Sequence, residues 1–180
     1  MISTRESHLP GARRAYRNGY HEGIDWYSGA TGTTIDLNTK VLSVADGVVV
    51  RADLDYIEFE KDEREAYLTL AGELHETPTY ILDKLRGRSV WVQYDHGVMV
   101  RYAHLSKIEE GIYVGKEVKR GETLGYVGNS GTSFAVNDDP EGGLHLHADL
   151  LIYGELFWKY IHEPQQIRNV LIHTFKERSQ

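Results

Sequence analysis

The alternation of apolar and polar positions is clearest over 89–105. Val90, Val92 and Tyr94 alternate with Trp91 and Gln93. After Asp95-His96-Gly97, Val98, Val100 and Tyr102 alternate with Met99 and Arg101. A period of two with a polar-glycine break predicts a β-hairpin with one face in a core. We read the second strand as running on to Leu105. Thr33–Leu37 and then Lys40–Asp53 carry β-branched runs with an Asp46-Gly47 turn signal. Residues 111–131 give short strands cut by glycines, and Leu144–Tyr153 gives one more. The body is expected to be all-β dominated, with antiparallel β-sheets forming a sandwich-like body with an active-site groove.

Two stretches break this rhythm. Over 53–88 the spacing turns helical: Ala66, Leu70 and Leu74 repeat at i, i+4, with Tyr67 and Ala71 beside them. Thr77-Pro78 reads as an N-cap followed by proline at the first helical position, and Gly87 as a helix stop. This is a helical insertion between two strands, and its acidic run 53–65 reads as a solvated face. Near the end, Pro164 opens a helix over about 164–177, with Ile167, Leu171 and Phe175 as its core stripe. Residues 1–20 read as a polar lead-in. Together these give one domain, 1–180, enlarged by the insertion.

Composition narrows the chemistry. The 180 residues include no cysteine, which removes disulfides, thiolate metal sites and a cysteine nucleophile. The formal charge of −7 argues against a general nucleic-acid surface. No stretch reaches the ~18–20 apolar residues of a membrane span. The N-terminal segment has no apolar centre and does not read as a signal peptide. Nine histidines are the remaining candidates for imidazole chemistry.

Four of these histidines stand in suggestive places. His145 and His147, two apart on a strand, face one side, with Leu144, Leu146 and Ala148 on the other. Taken alone, this common pair reads as a solvated sheet face rather than a site. His21 and Asp25 offer an imidazole and a carboxylate four positions apart, with Gly23 between them favouring a bend. His104 follows the strongest strand, in Tyr102-Ala103-His104-Leu105-Ser106. There is no Gly-x-Ser-x-Gly elbow and no His-Glu-x-x-His helix, so serine hydrolase and thermolysin-like arrangements have no local support. His96 sits at a hairpin tip; His8, His75, His162 and His173 have no paired ligand nearby and read as surface or packing residues.

Taken jointly, His21-x-Gly23-x-Asp25, Tyr102-x-His104-Leu105-Ser106 and His145-Leu146-His147, in that order, resemble the lysostaphin-type, LytM-like zinc endopeptidases that hydrolyse peptidoglycan. The segments Asp95–Gly97, Val118–Gly125 and Gly128–Ser133 strengthen the likeness, which covers roughly 20–50 and 88–152. The resemblance implies one Zn²⁺ per chain held by His21, Asp25 and His147. It implies His104 and His145 as catalytic histidines, a peptidoglycan peptide or other peptide as substrate, and a place in the cell envelope. We expect neither catalytic histidine to need a large pKa shift. A non-catalytic cell-wall-binding or hydrolase-activating module, and a cytoplasmic zinc peptidase with another substrate, are the alternative readings; oligomeric state is left open. Two departures bear on substrate: Ala148-Asp149 replace the family's usual Phe-Glu, and 134–143 lengthens a loop with three acids.

Overall fold

The computed structural model describes residues 1–175. The strands are β1 (Arg13–Arg14), β2 (Gly19–Tyr20), β3 (Ile24–Tyr27), β4 (Lys40–Leu42), β5 (Gly47–Ala52), β6 (Val90–Tyr94), β7 (Val98–Ala103), β8 (Leu105–Ile108), β9 (Glu117–Val118), β10 (Thr123–Val127), β11 (His145–Ile152) and β12 (Glu155–Leu156). The α-helices are α1 (Lys61–Glu73), α2 (Thr79–Leu85) and α3 (Pro164–Thr174). A larger antiparallel sheet runs in the order β12-β11-β7-β6-β5-β9, with β3 also on β11. A smaller one runs β4-β10-β8, and β1 and β2 form a separate hairpin.

The core lies between the two sheets, because one face of each carries the apolar half of its alternation. Val49, Val90, Val92, Val100, Tyr102 and Ala148 from the large sheet share one cluster with Val41, Leu105, Leu124 and Val127 from the small one. Two buried hydroxyls are satisfied inside it: Tyr94 Oη and Tyr102 Oη are 2.7 Å apart, and Ser43 Oγ is 2.9 Å from Tyr94 Oη. Helix α3 joins this core through Ile167 and Leu171, while Phe175 meets Trp26 edge-on. The last positions of the expected 164–177 helix lie outside the described residues.

The β6–β7 hairpin has the register the alternation predicts, with Gln93 opposite Met99 and Val90 opposite Tyr102. Several other expectations change. Thr33–Leu37 is irregular rather than a strand. The turn at Asp46 joins β4 and β5, but these strands belong to different sheets and do not pair. The strand through Tyr102 does not continue to Leu105: it stops at Ala103, His104 takes φ 59°, and Leu105 starts β8 in the other sheet. A local pattern cannot reveal such a switch, because apolar positions on either side still alternate toward the same core.

In the insertion both helices form, but Ala66 and Leu74 are exposed, and the buried position is Ala71. The inner surface is a separate cluster of Phe59, Ile81 and Leu85, with Tyr67, Leu68, Leu70 and Val136 against it. Thr77 does not cap α2; Pro78 holds that position, and the Thr77 hydroxyl donates to the Arg17 carbonyl. The lead-in is not merely polar surface. Leu9 joins the core, Arg17 is buried against Glu22 at 2.7 Å, and Asn18 Nδ2 donates to Ala71 O at 3.3 Å, tying the N-terminal hairpin to α1. Within the acidic run, Glu58 is not simply solvated: it accepts from the Gly131 N–H at 2.9 Å.

Candidate metal centre

The centre forms on β11, on the sheet face opposite the core. Leu146, Ala148 and Leu150 point inward, so His145, His147 and Asp149 point the other way. On the neighbouring β3, Asp25 stands directly across from His147, and Tyr27 across from His145. Cross-strand neighbours sit side by side on one face, so sheet pairing alone brings Asp25 to His147 and lays Tyr27 on His145. The Tyr27 and His145 rings stack at 4.4 Å and 13°. Gly23 has a steric reason to be glycine: a Cβ there would lie 2.2 Å from the Ala148 carbonyl oxygen. That close pass lets His21 reach the same point from the chain before β3.

Three donor atoms converge. His21 Nε2 is 2.9 Å from Asp25 Oδ1 and 3.1 Å from His147 Nδ1, and His147 Nδ1 is 2.8 Å from Asp25 Oδ1. Metal–ligand bonds of about 2.0–2.1 Å in a tetrahedral site put neighbouring ligand atoms about 3.3 Å apart. The observed triangle needs only a few tenths of an ångström of expansion to meet that. The ring atoms facing away are engaged: His21 Nδ1 donates to Leu9 O at 2.9 Å, and His147 Nε2 donates to Asp149 Oδ1 at 2.7 Å. In the neutral rings that a metal requires, both hydrogen bonds fix the tautomer that turns a bare nitrogen toward the common point. Two imidazoles and a carboxylate so held fit zinc.

The carboxylates are themselves braced. Arg14 Nη2 donates to Asp25 Oδ2 at 3.1 Å, and Arg86 Nε donates to Asp149 Oδ2 at 2.9 Å. Asp149 is fully buried. Burial acts to raise its pKa, but Arg86 and His147 outweigh this and hold it below the usual carboxylate range. Burial likewise works against the ionised form of Asp25, and His21 and His145 overcome it, holding Asp25 well below its ordinary value. At His147, burial disfavours the charged ring, yet Asp149 and Asp25 prevail and push it up to about 9. The field at this ring is one that favours a cation.

His104 and His145 flank the triangle. Their ring centroids are 4.6 Å apart, and His104 lies 5.6 Å from His147. His104 Nδ1 donates to Ser130 O at 2.7 Å and His145 Nδ1 donates to Gly143 O at 2.7 Å. A carbonyl can only accept, so each neutral ring keeps its proton on Nδ1 and presents a bare Nε2. His145 Nε2 lies 3.8 Å from Asp25 Oδ1. Burial, with His145 and His147 adding to it, pushes His104 well below its ordinary pKa, and burial lowers His145 despite Asp25. The expectation that neither ring is much shifted therefore changes for His104. Its origin is tertiary: loops at Ser130 and Arg86–Arg88 enclose a ring that sequence places only at a strand end.

All five residues singled out from the sequence thus line one cavity of about 580 Å³. His96 is an exposed hairpin tip, and His8 packs on Tyr27 and Ser3. Sequence reasoning missed Asp149, Arg86 and Arg14. Asp149 left a signal, since it follows His147 by two on the same strand face. Arg14 and Arg86 left none.

The sequence profile of peptidase family M23 matches residues 19–157. No curated protein sequence matches the chain. Among solved structures, the catalytic domain of the antimicrobial peptidase lysostaphin from Staphylococcus simulans is 18% identical with a TM-score of 0.52, over 91% of this chain and 89% of that one. Whole lysostaphin gives 17% identity and a TM-score of 0.55, over 96% of this chain and 51% of that one. A zinc-containing peptidase from Vibrio cholerae is 20% identical with a TM-score of 0.45, over 76% of this chain and 28% of that one. At such identities the lysostaphin likeness establishes the fold alone. The chain spans under a third of the Vibrio protein and about half of whole lysostaphin.

Proposed function

The chain belongs to peptidase family M23, and on that premise we propose that it is a zinc-dependent endopeptidase cleaving peptide bonds in peptidoglycan crosslinks. The observation that carries this is the meeting of His21, Asp25 and His147 at one point, with two histidines beside it presenting bare Nε2 atoms. His21, Asp25 and His147 would hold one Zn²⁺. Zinc bound there supplies a Lewis acid that activates water and polarises the peptide carbonyl.

The chain's own residues do the rest. Asp149 and the Leu9 carbonyl keep the two ligand imidazoles turned inward. His104 and His145 are the catalytic histidines: the bare Nε2 of one accepts the proton of the attacking water, and that ring, now protonated, donates to the developing oxyanion and returns the proton to the leaving amine, while the bare Nε2 of the other accepts a hydrogen bond that orients the water. A lowered pKa keeps both rings neutral, and so able to accept, at neutral pH. Tyr27 holds the plane of His145 by stacking. The retention of all five polar groups in one place speaks for an enzyme over a non-catalytic binding module.

We place this activity in a single domain, with the substrate groove shaped by the 53–88 insertion and the 134–143 loop. The cell envelope is the compartment where such a substrate occurs. Among the described residues no helix is long and apolar enough to cross a membrane. The test is metal analysis paired with mass spectrometry of peptidoglycan digests. Wild type should hold about one zinc and release cleaved crosslinks. H104A and H145A should keep the metal and lose ~10²-fold or more in rate. D25A should lose the metal; full activity and zinc content in D25A would overturn the ligand assignment.

A further inference from the structure

The cavity beside the metal centre has a charge opposite to that of the molecule. The chain carries 27 acids and 20 bases, yet this cavity is lined by five arginines against Glu22 and Asp25 alone among carboxylates. Three of the arginines are neutralised by protein partners: Arg14 by Asp25, Arg17 by Glu22, and Arg86 by Asp149. Arg13 lies at the exposed rim, over the Tyr20 ring. Arg64 is different. It projects from α1 of the insertion, its Nε is buried with no hydrogen-bond partner, and it forms no ion pair among the described residues. Arg101 also has a buried unpartnered Nε, but its guanidinium stacks on Trp91 at 4.2 Å and lies 3.8 Å from Asp149.

Glu58 and Glu65 favour the charge of Arg64, but neither makes an ion pair with it, so the desolvation of this half-buried guanidinium is not offset by a direct contact. Burial accordingly lowers the pKa of Arg64. Leu82 and Leu85 of α2 and Phe134 of the 134–143 loop contribute apolar surface to the same cavity. This is a setting in which a planar fork binds a carboxylate more strongly than at an open surface.

We propose that Arg64 is a specificity-determining residue, and that the insertion makes the groove select peptides carrying a free carboxylate near the scissile bond. This rests on the peptidase reading and names the chemistry of its substrate. The carboxylate supplies the direct ion pair that Arg64 lacks among the described residues, and Arg13 at the rim adds attraction for the same group.

The test uses crosslinked muropeptides released by a muramidase, compared with the same peptides after their free carboxyls are converted to carboxamides. With zinc-loaded wild type, kcat/KM should favour the carboxylate form by ~10- to 100-fold, the range of a charge-assisted bidentate contact. R64Q should bring the ratio to within ~3-fold, and R64K, which keeps the charge but not the fork, should fall between. Melting temperature and zinc content report that the variants are folded. Calorimetric binding of both peptide forms to metal-free protein gives a second readout, where R64Q should lose the preference. Equal handling of both forms by wild type, or an undiminished ratio in both R64Q and R64K, overturns the proposal. Should zinc-loaded wild type cleave neither form, the peptidase reading falls, and the binding comparison alone decides the role of Arg64: a preference abolished by R64Q supports it, and no preference overturns it.

Discussion

At Asp149 one buried carboxylate serves two partners, accepting from His147 Nε2 at 2.7 Å and from Arg86 Nε at 2.9 Å. Because the first of these bonds orients a metal ligand, D149A should weaken zinc binding by ~10–100-fold, measured by competition with a chromophoric chelator; unchanged affinity would remove Asp149 from the site. The same contact makes zinc binding depend on pH. With its pKa pushed up to about 9 in the metal-free site, His147 carries at pH 7 a proton that must leave when a metal takes Nδ1. Affinity should therefore rise with pH until about 9 and fall below it, and calorimetry in buffers of differing ionisation enthalpy should register net proton release at pH 7. An enthalpy independent of buffer would contradict this. The five site residues were legible only because three short motifs, each modest alone, stand together in the order of a known family. The braces were not, since Arg14 and Arg86 reach their carboxylates across 11 and 63 positions of chain.

Among the elements, the segment after α2 matters most for the centre. Gly87 has φ 66°, and a Cβ there would sit 2.3 Å from the Ser130 carbonyl carbon and oxygen. That carbonyl holds His104 Nδ1, while the His104 N–H donates to Arg86 O at 2.9 Å. G87A should therefore cost about 1–3 kcal/mol in urea unfolding through backbone strain, and more if Ser130 cannot yield. It should also slow turnover while leaving zinc content near wild type. Stability and rate both like wild type would show that this approach is not needed. The sequence suggested Gly87 as a helix stop, which it is, but could not suggest its second role under Ser130. The insertion's helices were legible from their period, whereas their buried faces were not. Ala66 and Leu74 have the right spacing, yet the cluster they would join lies on the side of Phe59, Ile81 and Leu85.

For the whole molecule, the centre stands on a framework that does not depend on it. Tyr102, Val49, Val92 and Val100 are buried on the far face of the sheet from the metal ligands, against Leu105 and Leu124 of the smaller sheet. Removing zinc by chelation should lower the melting temperature and leave the far-ultraviolet β signal at 25 °C intact. Restoring zinc to 100 times its Kd should return about 2.7 kcal/mol. Unfolding at 25 °C on chelation would mean that the ligands hold the sheets together. This division of labour also lets the insertion and the 134–143 loop vary the groove, since they pack on each other through Val136 and not through the main core.

The sequence by itself determined the β-rich body, the β6–β7 hairpin, the helical insertion and the C-terminal helix, and it pointed to the five site residues only through three motifs taken jointly with their family resemblance. Each of these elements rests on a local period, and local backbone preference is enough to specify it. Tertiary structure alone decided that β4 and β5 go to different sheets and that the chain changes sheet at His104. It alone decided that Asp25 pairs with His147, and that Arg64 lines the groove without a carboxylate partner. Those facts depend on which strands meet and which loops cover them, and that is settled by burial of surfaces far apart in the chain.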